Sequence, residues 1–365
     1  MSSTIGGRTR AGDMDEFGLI RLLNAGRQSP EWQHARGVEV GIGDDAAVVT
    51  PGAAMQLVLS CDTMVQDIHF KDETMADADV GFKAMASSVS DLAAMGAIPR
   101  HALVSLVRPP GFAEARLREL YDGLYACADR YGVAVIGGDT TSTNGGLVVS
   151  VTVVGEVERG RALLRSAARE GDAVFVTGPL GLSAAGLHAL LAGRAADAHA
   201  SLLAAHKRPL PQVEAGRLLQ RSGLCHALND ISDGLASEAR EIAEASGCGI
   251  VLREAALPLE EPLLRYAAAS GRSALDWALY GGEDYRLVGT LPERDAARAG
   301  ELFRAAGLPF HIVGEVAGAA GTVRLLRKDG TVETIKRGGY NHFPGGVTDG
   351  LPGGDPDSLP DGRNH

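Results

Sequence analysis

Gly41-Ile42-Gly43-Asp44-Asp45-Ala46-Ala47 is a glycine-framed acidic turn, with Val38 and Val40 before it and a strand-like run over 46–49 after it. Similar acidic positions recur along the chain. Asp62 closes the apolar run 56–61. Asp91 lies inside the helical run SSVSDLAAMG. Asp139 follows the buried run 133–136, and Asp230 and Asp233 bracket Ile231-Ser232. Each carboxylate stands beside small residues at the edge of an apolar segment. Carboxylates gathered in space repel one another unless positive charge sits between them. Mg²⁺ held jointly by carboxylates and substrate phosphates is the common solution. The pattern predicts a Mg²⁺-dependent site for a nucleotide polyphosphate, assembled from segments far apart in sequence.

Working outward, 365 residues favour two domains, and 45% hydrophobic residues suffice for a sizeable core. The formal net charge of −11 argues against nucleic acid or an anionic membrane surface as partner, since both ask for a basic patch. The four cysteines, Cys61, Cys127, Cys225 and Cys248, form no C-x-x-C pair and read as reduced thiols of a cytoplasmic protein. The opening residues lack the apolar stretch of a signal peptide, and no run approaches the roughly 20 apolar residues of a membrane helix.

The elements alternate between strands and helices, an α/β (α+β) pattern in two halves. We read 1–14 as a flexible tail, 15–158 and 159–345 as the two domains, and the Gly/Pro/Asp-rich 346–365 as disordered. The runs 46–49 and 56–61, separated by Pro51-Gly52, suggest an antiparallel pair. Asp77 or Asp79 is placed to cap a long helix ending near Gly96. Residues 114–131 form an amphipathic helix with Leu117, Leu120, Leu124 and Cys127 inward, and 323–335 reads as a hairpin turning at Asp329-Gly330.

Several chemistries are excluded. There is no G-x-x-x-x-G-K-[ST], no H-E-x-x-H, no G-x-S-x-G and no kinase H-R-D set. The formal G-x-G-x-x-A match at 41–46 fails as a dinucleotide site, because two carboxylates would face the pyrophosphate and a strand follows. Taken singly, each aspartate reads better as a turn or cap residue than as a ligand. Asp91 is the exception, because a carboxylate inside an apolar helix is costly unless paired. Gly137-Gly138 and Gly178-Pro179-Leu180-Gly181 let backbone N–H groups approach an anion, although plain turns serve as well for the second. His69 would share the mouth occupied by Asp62, or be a surface histidine. Glu283-Asp284 could bind a polar substrate group or simply start a strand, and Tyr340 could be an aromatic wall or core packing.

As a set, GIGDDAAVV, SCDTMVQDIHF, KAMASSVSDLAAMGAIP, IGGDTT, RALLRS, DISDGLASE, GGEDY and GGYNHF resemble the thiamine-monophosphate kinase family, in its order and spacing, from residue 15 to residue 343. That family belongs to the superfamily of aminoimidazole-ribonucleotide synthetase. The resemblance implies an N-terminal ATP/Mg-binding domain that dimerises through its sheet, a C-terminal domain completing the site, and ATP-dependent phosphorylation of thiamine monophosphate to thiamine diphosphate. It places Asp45, Ser60, Cys61, Asp62, Asp91, Asp139, Asp230 and Asp233 at metal positions. Tyr121, Gly138, Asp139, Arg165 and Ser232 fall at ATP positions, and His69, Glu283 and Tyr340 at substrate positions. Within the metal set, Asp45, Asp62, Asp91, Asp139 and Asp230 would carry catalysis. Cys61 departs from the threonine usual there, and a thiol is a poor Mg²⁺ ligand. A purine-biosynthesis ligase of the same superfamily, or a nucleotide- and Mg²⁺-binding sensor, would use the same aspartates.

Overall fold

The computed structural model describes residues 22–40, 42, 48–194 and 197–335. The expectations for residues 1–14, Asp45, Tyr340 and 346–365 lie outside the described residues.

The first half is built on a four-stranded sheet. Its strands are β3 (Met55–Val65), β4 (Ile98–Arg108), β5 (Ala134–Ser142) and β6 (Val148–Glu158), in the order β3-β6-β4-β5. Only β4 and β5 pair in parallel. Alternation decides the buried face: Val149, Val151 and Val153 of β6 point inward with Val104 and Leu106 of β4. The helices Asp77–Ala94 and Glu114–Tyr131 cover that face, and the four inward positions read from the second helix are all buried.

The expected pairing of 46–49 with 56–61 does not form. The short strands β1 (Val38–Val40) and β2 (Val48–Val49) pair with each other, and β3 pairs instead with β6. The β3–β6 ladder runs from Met55↔Glu158 to Val65↔Val148, so eleven-residue strands match end to end. A four-residue partner could satisfy only a fraction of those backbone groups. Neither Asp77 nor Asp79 caps its helix either. Ala76 holds that position with no side-chain cap. Asp77 takes two hydrogen bonds from Arg116 (2.7 and 2.9 Å), and Asp79 one from Arg208 (2.6 Å).

The second half carries a seven-stranded sheet of β7 (Asp172–Val176), β8 (Ala227–Asp230), β9 (Ile250–Arg253), β10 (Leu287–Pro292), β11 (His311–Val316), β12 (Val323–Leu326) and β13 (Val332–Thr334). Its order is β13-β12-β9-β11-β7-β10-β8, and only β9–β12 is parallel. The expected hairpin is β12–β13. Sequence reading missed β11, where Gly314 interrupts the apolar run and the ladder to β7 slips register.

One helix belongs to both halves. Asp77–Ala94 buries 15 of its 18 residues. Met85, Val89 and Leu92 enter the first core, while Ala93 and Ala94 pack with Phe175, Leu219 and Phe303 of the second half. It approaches Glu114–Tyr131 through reciprocal glycines. A Cβ at Gly81 would collide with the Leu120 carbonyl, and one at Gly123 with the Ala78 carbonyl. Gly→Ala inside a helix normally stabilises by about 0.5–1 kcal/mol. Gly123→Ala should reverse that sign and cost about 1–3 kcal/mol, because backbone cannot move aside as a side chain can. A urea melt checks this, and an unchanged midpoint would contradict the close approach.

Candidate active site

The polar run Ser87-Ser88-Val89-Ser90-Asp91 lies where the shared helix passes between the sheets, and it gathers carboxylates from three segments. Ser60 and Asp62 alternate onto the inner face of β3, toward the helix. The Ser60 hydroxyl donates a short hydrogen bond to Asp91, and Ser90 donates to Asp230 at the end of β8 (2.7 Å). The Ser87 and Ser88 hydroxyls lie against Asp62. Ser88 also reaches the Val151 carbonyl at 2.9 Å, so its single proton serves one acceptor or the other.

These carboxyls share a poorly hydrated space, and their protonation reflects it. Burial, then the charges of Asp230 and Asp62, pushes Asp91 up to about 7. Burial foremost, with the Asp62 charge adding to it, pushes Asp230 up to about 6. Burial raises Asp62 as well, and its serine neighbours and His69 oppose the rise. Arg165 lies near enough to ease both Asp91 and Asp230. The Arg165 Nε donates to Asn229 Oδ1 (2.9 Å), and its Nη1 pairs with Glu241 at 3.2 Å.

Asn229 of β8, with Ser232 and the Asp233 backbone amide just after it, converge on Glu238, in the first turn of the helix Leu235–Ser246. Burial, then Glu241 and Asp230, pushes Glu238 up to about 9. The loop 281–285 runs beside this turn: Glu283 N donates to Ser232 O (2.7 Å) and Tyr285 N to Ile231 O (2.8 Å). Both residues hold left-handed backbone, with φ of 66° and 46°, an unfavourable conformation that surrounding contacts must impose. Burial, then the charges of Glu283, Asp62, Asp230 and Asp91, raises the Tyr285 phenol well above its ordinary value. The loop and the carboxylate cluster are therefore one site.

Glu283 is held from two sides. Lys83, 1% exposed on the shared helix, meets one oxygen at 2.5 Å, and His206 Nδ1 lies 3.3 Å from the other. Burial works to raise Glu283, but Lys83 and His206 outweigh it and hold the carboxyl down to about 2. Burial lowers the Lys83 ammonium, and the adjoining Glu283 carboxylate opposes that fall. Burial, then the Lys83 charge, lowers His206. Asp284 turns the other way. It accepts from the Gly181 and Ser183 amides at the start of the helix Leu182–Leu191 (2.6 and 3.3 Å). The anion at Gly178-Pro179-Leu180-Gly181 is thus the protein's own carboxylate, which burial raises to about 7.

Not every sequence candidate joins the cluster. Asp62, Asp91, Asp230, Arg165 and Ser60 do, with Ser232 and Asp233 on the adjoining turn. His69 is near Asp62, and its Nδ1 accepts from Val65 N (3.0 Å). Cys61 alternates to the opposite, exposed face of β3, where its sulfur meets Ser150 Oγ at 3.4 Å, so its thiol points away from the acids. Asp139 lies within β5, in register with Ser105 and exposed; the strand continues through Gly137 and Gly138 instead of ending before them. Gly138, with φ of 153°, sits against the Val104 backbone where a Cβ would collide, so close strand packing requires it. Tyr121 is packed into the first core, 6.4 Å from the Tyr125 ring, and burial pushes its phenol up to about 12. Among the described residues, no three His, Cys, Asp or Glu side chains stand close enough to hold an ion unaided. The donors that do converge are carboxylate and hydroxyl oxygens, the set a hard cation takes. Burial, with the charges of their neighbours, favours the protonated form of these carboxyls, a balance that a bound cation would reverse.

That balance has a measurable consequence. The folded, metal-free protein binds protons at these aspartates more tightly than the unfolded chain, where the group titrates near about 3.9. Their contribution to stability should therefore fall as pH rises from about 4 through 7. Mg²⁺ must displace those protons below about pH 7, so it should raise Tm more at pH 8 than at pH 5.5. Equal shifts by scanning fluorimetry would contradict the cluster.

Comparison with known proteins agrees with this geometry. Residues 43–157 match the family model of AIR synthase related protein, N-terminal domain, and residues 169–326 that of its C-terminal domain. The fold is that of the two-domain AIR synthase related proteins. The chain is 42% identical to thiamine-monophosphate kinase of Bacillus subtilis over 335 residues, covering 90% of this chain and 100% of that one. It is 39% identical to the Escherichia coli K12 enzyme of that name, covering 84% and 92%. A crystal structure of thiamine-monophosphate kinase from Stenotrophomonas maltophilia superposes with a TM-score of 0.73 at 35% identity, covering 82% of this chain and 95% of that one. AaThiL complexed with AMPPCP and TMP gives 0.71 at 32%, covering 92% and 99%. The chain belongs to the thiamine-monophosphate kinase family.

Proposed function

We propose that this protein transfers the γ-phosphoryl group of ATP to the phosphate of thiamine monophosphate, giving ADP and thiamine diphosphate. The observation that carries this is the convergence of Asp62, Asp91 and Asp230 beside Arg165, in a space where their charges oppose one another. Several Mg²⁺ ions, when bound, would supply the charge that neutralises a triphosphate; Asp62, Asp91 and Asp230 would hold them, with Asp45, Asp139 and Asp233 as further ligands and Ser60 and the Cys61 carbonyl as neutral ones. The acceptor phosphate is already an anion, so no general base is required. The chain's own work is positioning and charge balance, the expected demand of phosphoryl transfer. Arg165 contacts a phosphate, while Ser232 and Gly138 line the nucleotide's path. His69, Glu283 and Tyr340 face the thiamine moiety. The Lys83 pairing makes Glu283 a hydrogen-bond acceptor more than a counter-charge for the thiazolium. A coupled assay tests the reading: ATP and thiamine monophosphate should give ADP and thiamine diphosphate one to one. ADP formed without the second product would overturn it.

The same reading divides the chain at residues 158 and 159 and makes it a homodimer in the cytoplasm, where ATP is available. No described helix is long and apolar enough to cross a membrane. Supporting the dimer, the outer face of the four-stranded sheet carries Leu57 and Leu59 (63% exposed) on β3 and Leu103 on β4, with β6 between them. Such a patch commonly marks an interface. Leu59→Glu should convert the sedimenting species from dimer to monomer; a wild-type monomer would remove the proposal.

A further inference from the structure

Glu238 is not among the residues expected to touch nucleotide or metal, yet the groups that are expected to do so depend on it. We propose that Glu238 is a positioning residue for the nucleotide half of the site. Its one carboxyl group sets the Ser232–Asp233 turn and the Arg165 guanidinium relative to each other. The inference rests on the proposed reading that this turn and Arg165 face the ATP phosphates.

The geometry has two limbs. Glu238 Oε1 accepts from the Ser232 hydroxyl (3.3 Å) and the Asp233 amide (3.1 Å). Its Oε2 accepts from Asn229 Nδ2 (2.6 Å), and Asn229 Oδ1 accepts in turn from Arg165 Nε (2.9 Å). Glu238 is 2% exposed and Asn229 1%, so solvent cannot replace these bonds, whereas Arg165 keeps half its side chain in the open. Gly234, with φ of 107°, opens the helix directly after the turn. A side chain one turn into the helix can therefore reach back over it. The backbone of Asp233 and the guanidinium of Arg165 come from positions 68 residues apart in the chain. Among the described residues, Glu238 and its Asn229 relay connect them, assisted by Glu241 on the same helix.

Steady-state kinetics on the full chain test this, with MgATP and thiamine monophosphate varied separately. Glu238→Ala removes both limbs and should raise KM for MgATP about tenfold or more, leaving KM for thiamine monophosphate within about twofold. Glu238→Gln offers one acceptor oxygen and can serve one limb, so its KM for MgATP should fall between wild type and the alanine variant. A parallel rise in both KM values would mean general loosening and would overturn the proposal, as would an unchanged KM for MgATP. If Glu238→Ala fails to fold, as melting would reveal, Glu238→Gln decides by the same criteria. Arg165→Ala and Asp230→Asn separate this inference from the reading beneath it. If they disturb ATP kinetics and the Glu238 variants do not, only the positioning role fails. If none of them does, the nucleotide assignment fails first.

Discussion

Asp62→Asn should drop kcat by about 10³-fold or more while the protein stays folded. Asparagine matches aspartate in shape, so β3 and its ladder to β6 remain intact. What is lost is one unit of negative charge from a cluster whose members already raise one another's affinity for protons. The metal-free variant should therefore be at least as stable as wild type near pH 7, because Asp91 and Asp230 are relieved of a repelling neighbour. Charge neutralisation around a phosphoryl group is worth several kcal/mol, and each 1.36 kcal/mol is tenfold in rate. The opposite movements of stability and rate are the diagnostic. A D62N enzyme retaining a tenth of wild-type kcat would remove Asp62 from the catalytic centre.

Lys83→Met should be the most damaging single change to stability outside the packed cores, at about 3–5 kcal/mol. The ammonium lies on the shared helix and is the closest counter-charge to Glu283, which would be left without it in a poorly hydrated loop. His206, lowered by burial, cannot replace it without being protonated at a cost. Adding Glu283→Gln removes the stranded charge, so the double variant should recover much of the loss in a denaturant melt. Additive losses instead would show that Lys83 stabilises through packing of its stem, and that the ion pair contributes little.

Much of this site was legible in the residues, and the failures have a common cause. Asp91 was informative because an unpaired carboxylate inside an apolar helix demands an explanation, and the structure supplies Asp62, Asp230 and the Ser60 hydroxyl beside it. Lys83 carried the same signal, a charge between Phe82 and Ala84 in that helix, but its partner lies in the other half of the molecule and no local pattern could name it. Glu238 drew no reading from the sequence, because burial of the turn before it is a tertiary fact. Cys61 and Asp62 show where strand logic succeeds: period-two alternation alone separates the thiol from the acid. Pairing of β3 was misjudged because proximity in sequence competed with length of match, and the longer ladder with β6 prevailed. Helix 114–131 was placed correctly at both ends, since its spacing and Gly132 mark it without outside help.

The loop at 281–285 also bears on how the chain acquires its activity. Asp284 closes a contact 103 residues long with Gly181, and Glu283 is fastened to a lysine in the other half. Closures of that length are entropically expensive and tend to come after local structure has formed. Glu283 and Tyr285 bond the 231–232 turn within the second half, but Glu283 meets the Lys83 ammonium only when both halves have docked. In a refolding experiment, helical signal should return before turnover does. Neither half, produced alone, would possess a finished substrate loop, so competence arises with the last docking event and not with either sheet.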